Sequence, residues 1–173
     1  MAGWLLVLND ELPPEDTLAA LRAAVPPPWG RVAILAATQR WWPLTTGVPL
    51  AYRAERQRAL HELWTEQEEN ARARLTKVAT GLKEDATAVD LELVRGDRVS
   101  EAHRLARTLR VDMIVFPVPA GRRILSVWPN SVARRLARDA PCSVLLARAV
   151  PGHAAVAPIL DSPSDDRWMA TAS

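Results

Sequence analysis

Only one of the 173 residues is a cysteine, Cys142, so no internal disulfide can form and nothing points to an oxidising compartment. Long apolar runs are missing as well. The N-terminal run from Trp4 to Leu8 has no basic stretch before it and meets Asp10 and Glu11, which reads as a strand rather than a signal peptide. No segment approaches the roughly 20 apolar residues that cross a bilayer. A cytoplasmic protein without membrane contact is the expectation. His61, His103 and His153 are far apart, without metal-ligand spacing and without a cysteine beside them, so no metal site is predicted. A nucleophile elbow, a Walker loop and a glycine-rich dinucleotide fingerprint are all absent, so no catalytic residue is nominated and no enzyme is expected. Strong net charge is missing too: 22 basic residues face 20 acidic ones, for a formal +2 and a pI of about 9.2. An obligate nucleic-acid binder would carry more.

What remains is 49% hydrophobic residues in a chain long enough for one core. Trp4–Leu8 and Arg31–Ala37 are continuous apolar runs of the kind a strand shows when both its faces are covered. Between them, Leu18, Leu21 and Ala24 or Val25 share a helical face, with Glu15 and Asp16 in the first turn and prolines 26–28 as the stop. A loop with Trp41, Trp42 and Gly47 leads to a proline-free stretch from Leu50 to Lys83. There Leu60, Trp64, Ala71, Leu75, Val78 and Leu82 recur at helical spacing, Arg58–Glu62 and Glu68–Arg72 form i,i+4 pairs, and Gly81 marks the end. Val89–Val94 alternates as a third strand. A helix over 99–109 is capped by Asp97 or Ser100, Val111–Val118 is a fourth strand, and Asn130-Ser131 caps a helix that Pro141 ends before a strand over 142–147. Five alternations of strand and helix call for a parallel sheet between helical layers. The α/β domain spans 1–149, and 150–173, rich in Pro, Ala, Ser and Asp, reads as a loosely ordered tail.

Asn130-Ser131-Val132-Ala133, followed by Ala140-Pro141-Cys142-Ser143-Val144-Leu145-Leu146-Ala147-Arg148, resembles the closing signature of the universal stress protein family. Val94-Arg95-Gly96-Asp97 and Val111-Asp112-Met113-Ile114-Val115 support it, and the resemblance covers residues 3–149. It implies a single-domain, Rossmann-like sheet of order 3-2-1-4-5, with any nucleotide lying where the first and fourth strands diverge. Physics agrees on that place, because ligands of open α/β sheets sit beyond the carboxyl ends of strands at the switch point. Relatives that bind ATP are similar in carrying Gly, two residues, Gly, nine residues and Gly-Ser or Gly-Thr. Here those glycine positions hold Pro117, Ala120 and Asn130. Ala120 and Asn130 add a Cβ where bare backbone would approach phosphate, and Pro117 also removes a donor.

The resemblance thus assigns a candidate cleft to Asn9, Asp10, Pro117, Ala120, Asn130 and Ser131, to which the loop adds Gly121, Arg122 and Arg123. Gly121 is one residue out of register. The expectation is that the cleft holds no cofactor; the alternative is ATP or AMP with Mg²⁺ in a rearranged loop, its phosphates on Arg122, Arg123 and Ser131 and slowly hydrolysed, with a small ligand other than ATP as a variant. Asn9 and Asp10 have equally simple roles in a turn, Asn130 as an N-cap, and Trp41-Trp42 in packing over the sheet. Cys142 is a small buried hydrophobe. Residues 98–148 hold ten arginines against Glu101, Asp112 and Asp139, an excess of seven. A basic face binding nucleic acid or a partner is therefore a further reading, but only Trp128 is available to stack on bases. The leading expectation is a non-enzymatic stress-response or regulatory homodimer, without tight ATP binding, paired through the last strand, Cys142 to Val150; an unidentified protein partner is open, and nucleic acid is disfavoured.

Overall fold

The computed structural model describes residues 3–38, 53–119, 131–148 and 159–160. Their order is β1 (Gly3–Val7), α1 (Pro14–Ala24), β2 (Trp29–Thr38), α2 (Arg53–Leu82), β3 (Ala86–Arg95), α3 (Arg98–Leu109), β4 (Met113–Val118), α4 (Val132–Arg138), β5 (Ser143–Arg148) and β6 (Ile159–Leu160). The sheet runs β3-β2-β1-β4-β5-β6, and its first five strands pair in parallel, as the alternating pattern predicts. The sixth was not foreseen. β6 lies within 150–173 and pairs antiparallel with β5, Leu160 opposite Val144 and Ile159 opposite Leu145. Two residues are too short to show a period, so only the pairing reveals them as a strand.

The three central strands are buried because helices cover both faces. Leu5, Leu6, Val32, Ile34, Leu35, Ile114 and Val115 are fully inaccessible. α1 and α2 pack together on one side, α3 and α4 on the other. Edge strand β3 is wetter, with Leu91 half exposed. At the amino ends of the strands, Trp4 and Trp29 stack obliquely with centroids 5.8 Å apart, and Trp29 Nε1 donates to the Val25 carbonyl at 2.9 Å. The carboxyl ends are left for function.

Several local expectations change in three dimensions. Gly81 does not end α2. It lies inside the last turn, where an added Cβ would stand 2.3 Å from Leu18 Cδ1, so its lack of a side chain is what lets α1 and α2 approach. The α2 stripe is core only in its second half: Leu75, Val78, Ala79 and Leu82 are buried, whereas Leu60, Trp64 and Ala71 are half-buried. Glu68, expected to pair with Arg72, accepts a hydrogen bond from Arg95 of β3, and Arg72 adds a smaller electrostatic attraction. Asp97 caps α3, its carboxylate accepting from the Ser100 N–H at 3.0 Å, and Ser131 rather than Asn130 is the N-cap of α4, accepting from the Arg134 N–H at 3.3 Å. β4 begins at Met113, two residues late, because Val111 and Asp112 form the turn that leaves α3 through the left-handed Arg110.

Candidate functional site

β1 ends at the switch point, with β2 on one side and β4 on the other. Asn9 follows after Leu8 and is 8% exposed. Its Nδ2 donates to the Pro117 carbonyl at 3.2 Å, across to β4, while its Oδ1 accepts from the Glu11 N–H at 3.1 Å. The first bond ties the two strands together where they would diverge. The second makes the turn that sends the chain toward α1. Pro117 is within β4, opposite Ala147 of β5, and has no N–H to offer a ligand.

Asp10 points the other way. Its carboxylate accepts from Arg98 at the start of α3 and lies 3.5 Å from Arg74 of α2. Arg74 also gathers the turn's carbonyls: Nη2 donates to Asn9 and Leu12 O at 2.6 Å each, and Nη1 to Asp10 O at 3.0 Å. Gly96 brings Arg98 here. The Gly96 N–H donates to Thr38 O at 3.1 Å, prolonging the β2–β3 pairing, and then its φ of +147°, a value glycine tolerates, turns the chain into α3 at the carboxyl end of β2. A cleft of about 340 Å³ opens over this region, lined by Asp10, Thr38, Gln67, Asn70, Arg74 and Arg98 among others.

Of the residues nominated from sequence, Asn9 and Pro117 are joined directly, Asp10 is adjacent but turned to the arginines, and Ser131 is engaged as a helix cap. Ala120, Gly121, Arg122, Arg123 and Asn130 lie outside the described residues, as do Trp41 and Trp42. Arg74 and Arg98 were not singled out. For Arg74 a signal exists: it stands three residues after Ala71 and four before Val78, a charge on the apolar stripe of α2. Arg98 gives none, being one arginine among many beside a helix cap.

The basic half of the chain is partly neutralised at home. Arg104 pairs with Glu101 and Arg135 with Asp97, both at 2.8 Å. Burial alone would raise Asp97, but hydrogen bonds from Ser100 and Arg135 outweigh it and hold the carboxyl below its ordinary value. His103 is buried between α3 and α4, its Nε2 3.0 Å from Leu136 O. Among the described residues no three acidic, histidine or cysteine side chains gather as metal ligands, and no helix is long and apolar enough to cross a membrane. Half-buried Cys142 precedes β5, and burial pushes its thiol up, away from the reactive thiolate.

No curated protein matches the sequence. Among solved structures, the hypothetical protein MJ0577 is 16% identical, with 84% of this chain and 94% of that one covered at a TM-score of 0.63. The hypothetical protein PH0823 is 17% identical over 86% and 96%, at 0.56. The universal stress protein UspA from Lactobacillus plantarum is 16% identical over 85% and 97%, at 0.49. At such identities the likeness to MJ0577 and PH0823 concerns the fold. The sequence itself carries more, since the model of the Universal stress protein family matches residues 42–148, well over half of the chain. With that match and the 3-2-1-4-5 order of its parallel strands, the chain belongs to the universal stress protein family.

Proposed function

We propose that this family member is a stress-response or regulatory protein that acts through protein contacts, as a homodimer, without catalysing a reaction and without holding ATP tightly. One observation carries the reading: the polar groups at the end of β1 are already engaged within the chain. Asn9 is bonded to Pro117 and Glu11, and Asp10 to Arg98 and Arg74. A nucleotide at the switch point would have to break the buried Asn9 bond, a loss of roughly 0.5–1.5 kcal/mol before any desolvation penalty. It would meet a proline where a backbone donor would help.

The homodimer is proposed on the β5 side of the sheet. β6 takes up β5 opposite Val144 and Leu145, so a second copy would add along β6 and the remaining edge of β5. Titration calorimetry with ATP and Mg²⁺, backed by thermal shift with AMP and ADP, tests the nucleotide part. No heat and no stabilisation at millimolar nucleotide is the expected result; micromolar binding would overturn it. Light scattering tests the dimer, and a monomer at all concentrations would remove it.

A further inference from the structure

Arg98 differs from six other arginines that form ion pairs. Its side chain is 7% exposed, whereas those of Arg22, Arg31, Arg74, Arg95, Arg104 and Arg135 range from 25% to 72%. Its carboxylate partner Asp10 is 64% exposed. The buried member of the pair is therefore the cation, and the counterion sits toward water. That carboxylate binds at Nη2, while the buried Nε–H has no partner. A guanidinium presents Nε–H and Nη2–H as parallel donors matched to two oxygens of one oxyanion, and here half of that edge is idle. Arg74 adds a second positive charge on the same carboxylate, so two guanidiniums share the Asp10 counterion in a cleft of about 340 Å³.

From the half-used Arg98 edge and this charge excess we infer that the cleft over the carboxyl ends of β1 and β2 is a binding site for a small oxyanion, a carboxylate or phosphate group, which enters as Asp10 swings out. One ligand oxygen takes Nε–H and another Nη2–H of Arg98, and Arg74 supplies the second charge. Thr38, Gln67 and Asn70 line the remainder and suit hydroxyl or amide groups on the body of the ligand. Asp10 then acts as an internal competitor that occupies the site when no ligand is present. The site goes beyond the protein-contact role proposed above, and its chemistry does not require a nucleotide.

The test is titration of the full chain with inorganic phosphate and, separately, succinate, followed by heat and by the NMR signal of the Arg98 Nε–H. Asp10→Ala, which removes the competitor, is expected to tighten binding about tenfold, and Arg74→Gln to weaken it about tenfold. The Arg98 Nε–H signal moves on saturation in both proteins. A preference for phosphate or for succinate identifies the ligand class. Failure of both anions to bind Asp10→Ala at millimolar concentration, or binding that leaves the Arg98 signal unmoved, overturns the proposal. ATP with Mg²⁺ is titrated in parallel: its tight binding overturns the reading that the protein does not hold ATP tightly, whereas silence of phosphate and succinate overturns this one, so the two fail separately.

Discussion

The two halves of α2 have the same apolar period and different fates. In residues 71–82, Leu75, Val78, Ala79 and Leu82 are buried beneath the sheet and against α1, and Arg74 reaches the turn after β1. In residues 53–70 no described side chain is buried, and Leu63 is 52% exposed. A 30-residue helix is about 45 Å long. The adjoining β2 and β3 have ten residues each, about 33 Å at strand spacing, and so are shorter than the helix packed on them. Periodicity shows that a stretch is helical and which face would be buried; whether anything lies beneath that face is a property of the neighbours.

The sharpest way to break this comparison is Leu82→Ala, which should cost about 2–5 kcal/mol in urea unfolding, since it empties a fully buried position. Gly81→Ala tests the close approach of α1: crowding against Leu18 is worth about 1–3 kcal/mol, less the ~1 kcal/mol of helix propensity gained, for a net loss on the order of 1 kcal/mol. Adding Leu18→Ala should make the Gly81→Ala step neutral or favourable, read from a double-mutant cycle.

The short α3 is the counterexample to the free half of α2, being buried along one face and capped by Asp97. Asp97→Ala should cost about 1 kcal/mol through the lost cap. Because the Asp97 carboxyl is held below its ordinary value in the folded state, its charge stabilises above pH ~4 and that contribution is lost as pH falls below it. Asp97→Asn, which keeps an acceptor for Ser100, should flatten the fall in unfolding midpoint between pH 5 and pH 3. The contribution is modest, because the side chain is 37% exposed. Leu63→Ala has the smallest effect, within about 0.5 kcal/mol. A larger loss would mean that a second chain covers the first half of α2, visible as a concentration-dependent midpoint.

The fold was more legible than the site. Apolar runs such as Val32–Ala37 and Ile114–Val118 name themselves as central strands, and the closing segment 130–148 points to the family without any contact in view. Of the cleft, the sequence offered Asn9 and Asp10 at the end of β1 and, through the family resemblance, Pro117, but not the bond between Asn9 and Pro117 nor the partners Arg74 and Arg98. Arg98 lies 88 positions from Asp10, Pro117 lies 108 from Asn9, and no local pattern joins them. The cap at Ser131 was misplaced by one residue because asparagine and serine are equally good caps, and only the position of the Arg134 N–H decides.

By itself, then, the sequence determined the order of strands and helices, the buried character of the central strands and the family, because these follow from short-range periodicity and from residues adjacent in the chain. The tertiary structure decided which half of α2 is core, that β6 lies against β5, and that Asp10 meets Arg98 and Arg74. Those outcomes depend on which surfaces the crossovers bring together. A side chain's burial and its charge partners are set by neighbours distant in sequence, and no local pattern encodes them.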